Sequence, residues 1–321
     1  MKTEEQGGDG FQNRLLLLLQ EKLGDKNLQL KKIKEGKWRL QTGNERWFLK
    51  LFPNNQKFQL QMEVARDLKK AGFRRVPGFH PLHENDNIEM DRKTVGLTEW
   101  IETDEIFTFN SYKDRVAALA VLQEFHHYSG KVLSNGNVTA LPKQKLLEKW
   151  NRRLDEFKRN KKKLSVYVPP AMIDTYIKIG EIALKGLERQ GFPGEICILH
   201  GDLAHHNFLR DKKKDLYMID LDLITAGPAE IDYLQFANRI FPYINWSLKE
   251  LWEHEPFSFY KENQCFLYGI LFPSDIFREW NRFFRSSPRY QKSVWNYLMS
   301  LTVYQFHARM VCCRDIQKSL V

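Results

Sequence analysis

The residues richest in chemistry lie in one stretch, His200-Gly201-Asp202-Leu203-Ala204-His205-His206-Asn207, followed after a short turn by Ile219-Asp220-Leu221-Asp222. Both are polar segments caught between apolar runs. Phosphoryl transfer from a nucleotide needs a carboxylate to orient and deprotonate the acceptor hydroxyl, and hard oxygen donors to hold Mg2+ against the phosphates. Asp202, Asn207 and Asp220 supply that set. Magnesium takes one or two side-chain oxygens and completes its shell with phosphate and water, which suits one Asp and one Asn. The plainer reading is a loop whose polar residues meet solvent by coincidence.

Positioning these groups requires a strand, a loop and a returning strand. Ile196 to His200, Asn207 to Arg210 and Leu216 to Asp220 read as extended, with Asp211-Lys212-Lys213-Lys214 as a hairpin turn, so the three side chains can converge. Upstream, Met1 to Gly10 is polar and is expected to fray, and Phe11 to Leu23 has the apolar density of a packed helix stopped by Gly24-Asp25. Leu28 to Lys34, Lys37 to Gln41 and Arg46 to Phe52 read as three antiparallel strands, separated by Gly36 and by Thr42-Gly43-Asn44. A helix over Lys57 to Lys70 ends at Gly72, and two more extended runs follow at Gly78 to Leu82 and Thr94 to Ile101, with Glu84 to Asn87 as the turn. Beyond Trp100 the pattern is helical at Lys113 to His127, Lys143 to Lys161, Ala171 to Gln190 and from Glu230 onward.

The wording His-Gly-Asp-x-x-x-x-Asn, then Ile-Asp-x-Asp, then Gly227-Pro228-x-x-x-Asp232 resembles the aminoglycoside phosphotransferase and choline kinase family. Its Leu97 to Ile101 run, its Leu122 to His126 helix and Phe272-Pro273 look like the bacterial spore-coat CotS-type kinase-like branch. The resemblance implies an α+β, two-lobed protein-kinase-like fold. A small antiparallel five-stranded N-lobe with an N-terminal helix would occupy residues 1–101 and bind nucleotide. A larger, mainly helical C-lobe would occupy 102–321, with the catalytic loop at 200–207 and the metal-binding segment at 219–222. By the same resemblance Asp202 is the catalytic base, His200 braces the loop, and Asn207 and Asp220 hold Mg2+. Lys50 contacts the ATP phosphates, Glu63 is its ion-pair partner, and Asp232 is a buried carboxylate that keeps the loop in shape. The backbone of Glu99, Trp100 and Ile101 falls where an adenine ring would be hydrogen-bonded.

Protein kinases carry Arg after the loop His and Lys two residues after the Asp; here those positions are Gly201 and Ala204, which points to a small-molecule hydroxyl acceptor. The expected activity is ATP-dependent phosphorylation of an alcohol group on a metabolite. The glycine-rich phosphate loop is reduced to Gly36 in Lys34-Glu35-Gly36-Lys37. That reduction motivates the alternative: a catalytically weak or inactive kinase-like protein with a structural role, and protein partners, in the spore coat.

Composition bounds these readings. The 321 residues are 42% hydrophobic and 28% charged, which excludes a disordered or fibrous chain. Four cysteines give no disulfide framework or zinc spacing, and Leu15 to Leu19 is too short to span a bilayer, so a cytoplasmic location without export or membrane span is expected, with spore association implied by the CotS-type branch. The net charge is +10, and the segment Leu141 to Lys163 holds ten basic residues against Glu148, Asp155 and Glu156. No aromatic residues interleave Lys158 to Lys163, so a solvated helix face is preferred over a nucleic-acid site. Adjacent His205 and His206 would point to opposite faces of a strand and read as loop packing or substrate contact. The cluster Trp246, Glu250, Trp252, Glu253 and Glu255 suits a wall for a cationic acceptor and suits a helix that packs two Trp into the core equally well.

Overall fold

A computed structural model of the chain describes residues 5–43, 45–136 and 141–320. Helix α1 spans Glu5–Leu23 and therefore starts before Phe11, within the segment expected to fray. Once Phe11 to Leu23 is helical, each further residue costs little and adds a hydrogen bond. Met1 to Glu4 of that segment lie outside the described residues, as does Asn44 of the expected Thr42-Gly43-Asn44 turn. Strands β1 (Gln29–Lys34), β2 (Lys37–Thr42) and β3 (Glu45–Phe52) pair antiparallel as the turn residues require. Gly36 turns the chain between β1 and β2 at φ +71°. Helix α2 (Asn55–Ala71) opens on the Asn54 side chain, which accepts from Lys57 N, and closes on Gly72 in the left-handed region.

The fourth strand is not Gly78 to Leu82. Pro81 has a fixed φ and no N–H, and the His80 ring accepts from Leu82 N, so Pro81–Glu84 forms a 3-10 turn. The strand is β4 (Ile88–Met90), joined to β5 (Lys93–Glu99) by Asp91 and Arg92 at φ 49° and 62°. Two left-handed residues match the right-handed twist of a two-residue hairpin, here without glycine. The sheet keeps five strands, in the order β1-β2-β3-β5-β4. Leu15 and Leu19 of α1 pack with Trp38, Leu40, Leu49, Val95 and Leu97 on one of its faces.

Helix α3 runs over Tyr112–Ser134, α4 over Leu146–Arg159, the single turn α5 over Lys161–Leu164 and α6 over Pro170–Gln190. Then come β6 (Ile196–Leu199), β7 (Phe208–Arg210), β8 (Leu216–Met218) and β9 (Thr225–Pro228). The expected run of three strands is instead two separate pairs, β6 with β9 and β7 with β8. β9 was hidden because Ala226-Gly227-Pro228 carries turn-forming residues. Helices α7 (Glu230–Ile240), α8 (Leu248–Trp252), α9 (Gln264–Leu271), α10 (Ser274–Arg285), α11 (Pro288–Met299) and α12 (Phe306–Ser319) complete the chain.

The chain forms two compact units. One comprises Met1–Phe107, Val121–Leu141 and His206–Leu223, and holds the five-stranded sheet and the β7–β8 hairpin. Met218 N donates to Arg75 O at 2.8 Å, and the Phe73 and Phe125 rings meet edge to face at 5.6 Å. The other comprises Thr108–Ala120, Pro142–His205 and Ile224–Val321 and is mainly helical. Trp150 stacks on Phe272 at 4.3 Å, and Tyr176 and Trp280 both bond to Thr302. Among the described residues no helix is long and apolar enough to cross a membrane.

Candidate active site

In the sheet-bearing unit, β3 carries Lys50 and the antiparallel register sets Lys37 of β2 directly opposite it. Both ammonium groups reach one carboxylate: Lys50 Nζ lies 2.8 Å from Asp220 Oδ1, and Lys37 Nζ 3.0 Å from Asp220 Oδ2. Lys50 also meets Asp222 Oδ1 at 2.7 Å, and Gln61 of α2 donates to the same oxygen at 2.8 Å. Burial pushes the Asp220 carboxyl upward, but the charge and hydrogen bond of Lys50, together with Lys37, outweigh it and hold the group well below its ordinary 3.8.

The β7–β8 hairpin presents Asp220. Its turn is fixed by Asp211, whose Oδ1 accepts from Lys213 N and Asp215 N at 2.9 Å each. At its open end Ile219 N donates to Asn207 O at 2.9 Å, so Asn207 and Asp220 flank the last rung. Asn207 is buried, and Asp220 sits at φ +67°. Outside glycine such a left-handed conformation costs about 1–3 kcal/mol and tends to mark functional positions. Among the described residues no three His, Cys, Asp or Glu side chains are grouped to hold a metal ion by themselves.

A cavity of about 300 Å³ opens on this cluster. Its walls are apolar, from Phe48, Phe52, Phe79, Leu209 and Ile219, and its polar end is Lys37, Lys50 and Asp220. Glu99, Trp100 and Ile101 line it as well. Glu99 N donates to Gly78 O at 2.9 Å and Trp100 N to Arg46 O at 3.3 Å. Among the described residues the Ile101 N–H has no hydrogen-bond partner in the chain, which leaves one backbone donor on the cavity wall.

In the helical unit, the loop after β6 is held by Asp232 in the first turn of α7. Asp232 is fully buried, and its two oxygens accept from His200 N at 2.7 Å and Gly201 N at 3.1 Å. Gly201 adopts φ +76°, and Asp202 N donates to His200 Nδ1 at 3.3 Å, so the backbone is pinned up to Asp202. Arg239 lies seven residues after Asp232 and hence on the same face of α7. It donates to Asp202 Oδ1 at 2.8 Å.

The model of the phosphotransferase enzyme family matches residues 34–248, more than half of the chain. The chain is a member of that family. Solved structures agree on the fold. An aminoglycoside phosphotransferase from Alicyclobacillus acidocaldarius superposes with a TM-score of 0.66 at 14% identity, covering 92% of this chain and 93% of its own. The AMP-bound spectinomycin phosphotransferase gives 0.61 at 14% over 93% and 98%, and choline kinase LicA from Streptococcus pneumoniae 0.55 at 14% over 94% and 99%. The phosphotransferase thus has the α+β kinase-like fold, with a five-stranded antiparallel sheet and a mainly helical lobe. Comparison with curated protein sequences gives no match.

Of the residues singled out in the sequence, the structure brings Lys50, Asp220 and the Glu99–Ile101 backbone to one cavity of the phosphotransferase. It does not bring Glu63 to Lys50. Two residues along a helix lie about 200° apart, and the α2 side chain that reaches the cluster is Gln61; among the described residues Glu63 forms no ion pair. Gly36 occupies the β1–β2 turn beside Lys37, with open space where a Cβ would lie. Sequence reasoning missed Lys37, although its place opposite Lys50 follows from pairing β2 with β3, and it left Asp222 without a role. His205 packs edge-on to Phe109 at 6.1 Å. Trp246 is a core residue: it stacks on Phe241 at 4.9 Å, lies under the Arg309 guanidinium at 3.7 Å and donates to Gln305 at 3.0 Å.

Proposed function

We propose that this phosphotransferase moves the γ-phosphoryl group of ATP to a hydroxyl of a small metabolite. The observation that carries the reading is the pair of facing ammonium groups, Lys37 and Lys50, at the polar end of an apolar cavity that Ile101 also lines. Such a cavity suits a base between aromatic walls and a phosphate chain against the lysines. One of the matched structures is an AMP complex and another holds ADP and spectinomycin, which supports nucleotide use here.

Asn207 and Asp220 offer hard oxygen donors on adjacent ends of the hairpin, which fits Mg2+ completed by phosphate and water. Mg2+, when bound, would neutralise phosphate charge. Asp202 orients the acceptor hydroxyl and takes its proton as the oxygen forms the new O–P bond. The bond from the γ-phosphorus to the bridging oxygen breaks, and ADP leaves with that electron pair. His200, Gly201 and Asp232 hold Asp202 in place.

Asp202→Asn tests this reading. The variant is expected to lose turnover and to keep the stabilisation by ATP and magnesium, about 2.7 kcal/mol at about a hundred times the dissociation constant. Wild-type turnover in that variant would end the assignment. The second reading, a kinase-like protein of the spore coat that has lost catalysis, draws on Gly36 as the lone glycine of the β1–β2 turn. A melting temperature that millimolar ATP leaves unchanged would favour it.

A further inference from the structure

Helix α4 places Lys149, Arg152 and Arg153 at spacings of three and four, hence on one face, while Leu146, Trp150, Leu154 and Phe157 fill the core. Helix α10 packs along it: Asn281 Nδ2 donates to Arg153 O at 2.8 Å, and the Phe157 and Phe277 rings lie 4.7 Å apart. That packing brings up Arg278, and α7 supplies Arg239, bonded to Asp202. Lys149, Arg153, Arg239 and Arg278 are close enough to act on one another's charge, so these partly buried cations share one region of the helical unit with Asp202 and Glu279.

Two of them are compensated. Arg239 meets Asp202 at 2.8 Å and Arg278 meets Glu279 at 2.7 Å. Lys149 and Arg153 form no side-chain hydrogen bond or ion pair among the described residues. Burial, and the repulsion of neighbouring guanidinium groups, lower Lys149 to about 8 and Arg153 to about 10, while Asp202 acts on Lys149 and Glu279 on Arg153 in the opposite direction. Partly desolvated cations with no ion-pair partner are costly to keep, and in a cluster beside a catalytic carboxylate they mark a place for an anion.

We propose that the acceptor carries, besides the hydroxyl presented to Asp202, an acidic group, phosphate or carboxylate, held by Lys149 and Arg153 with Arg278 beside them. This rests on the transferase reading above and narrows its substrate class to anionic alcohols such as sugar phosphates and hydroxy acids. The matched structures bear the names of cationic substrates, aminoglycosides and choline. Here Trp246, the centre of the candidate cation-binding wall, lies in the core under an arginine of the chain's own.

Inorganic phosphate is the probe, titrated calorimetrically into the full-length protein. The Lys149→Met/Arg153→Gln variant is expected to bind it about tenfold or more weakly, while Lys158→Met, at the end of the same helix and paired with Glu181, retains that affinity. Both substitutions at the cluster remove uncompensated charge, so the variant should melt no lower than wild type, and lost binding is then not lost folding. Unchanged phosphate affinity in the double variant overturns the proposal. A second arm follows ATP consumption with sugar phosphates, hydroxy acids, choline and an aminoglycoside. Turnover confined to one of the first two classes supports the proposal and tells phosphate from carboxylate. Turnover with the cations alone overturns it and leaves the transferase reading standing. Phosphate binding that depends on Lys149 and Arg153, with no acceptor phosphorylated, keeps the anion site and removes the transferase reading.

Discussion

Replacing Lys50 by Met isolates the contribution of the cation that joins Asp220 and Asp222. The substitution removes a charge-assisted hydrogen bond at 2.8 Å to Asp220 and an ion pair at 2.7 Å to Asp222. Neither carboxylate is orphaned, because Asp220 keeps Lys37 at 3.0 Å and Asp222 keeps Gln61 at 2.8 Å. The loss therefore falls near the low end for such bonds, about 1.5 kcal/mol, rather than the roughly 3–5 kcal/mol of an abandoned buried charge. In a melting experiment that is about 2 °C for a chain of 321 residues. Lys37→Met alone should behave similarly, but the two together leave Asp220 with no ammonium partner. Their combined effect should exceed the sum by about 1 kcal/mol.

The pH dependence has a definite sign. The folded Asp220 carboxyl is held below its ordinary 3.8, so its contribution to stability is fully present above 3.8 and is lost as pH falls through the depressed value. The gap between wild type and Lys50→Met should be constant near neutrality and should close on acidification below 3.8. Affinity for ATP, followed by calorimetry, should fall about tenfold, the equivalent of about 1.4 kcal/mol. A Lys50→Met protein that melts with wild type and binds ATP as tightly would refute the idea that this lysine balances either the carboxylates or the phosphates.

Lys149→Met should stabilise the protein by about 1–2 kcal/mol at pH 7, after allowance for solvent screening. The unfolded chain holds this proton to 10.5 and the folded chain only to about 8, so the wild type gains stability across that window and the difference should vanish by its upper end. A flat difference in melting temperature from pH 7 to 10 would count against a desolvated Lys149. At Gly186 on α6 an added Cβ would lie 2.3 Å from the Tyr268 ring. Gly186→Ala should therefore destabilise by about 1–2 kcal/mol in chemical denaturation, since the helix-propensity gain offsets only part of the overlap. A stabilised variant would show that α9 yields there.

Features set by local chemistry were readable in the sequence. The α2 stop at Gly72, the Asp211 turn and the strand-loop-strand run about Asp202 depend on neighbours a few residues away. What was missed depends on partners far along the chain. β4 was misplaced because its hairpin uses Asp91-Arg92 where glycine or asparagine would have marked it. Glu63 was assigned to Lys50 by the family resemblance, yet the helix phase that brings Gln61 to the cluster instead is set by the packing of Phe58, Val64 and Ala65. The basic character of α4 was plain, but the burial of Lys149 and Arg153 depends on α10, more than a hundred residues later.

The two cationic sites differ in what the chain does with them before any ligand arrives. Lys37 and Lys50 are already neutralised by Asp220 and Asp222, so they stabilise the ligand-free sheet unit and, in the proposed nucleotide role, would have to exchange partners to receive phosphate. A phosphate chain that takes both ammonium groups releases those carboxylate oxygens for a divalent cation, so nucleotide and metal should each raise the affinity for the other. Lys149 and Arg153 have no such internal partner. They lower the stability of the helical unit, and an anion that meets them displaces nothing, so its binding there should not depend on magnesium. Phosphate affinity that is unaffected by magnesium at the α4 cluster, beside ATP affinity that rises with it at Lys50, would separate the two sites by mechanism as well as by position.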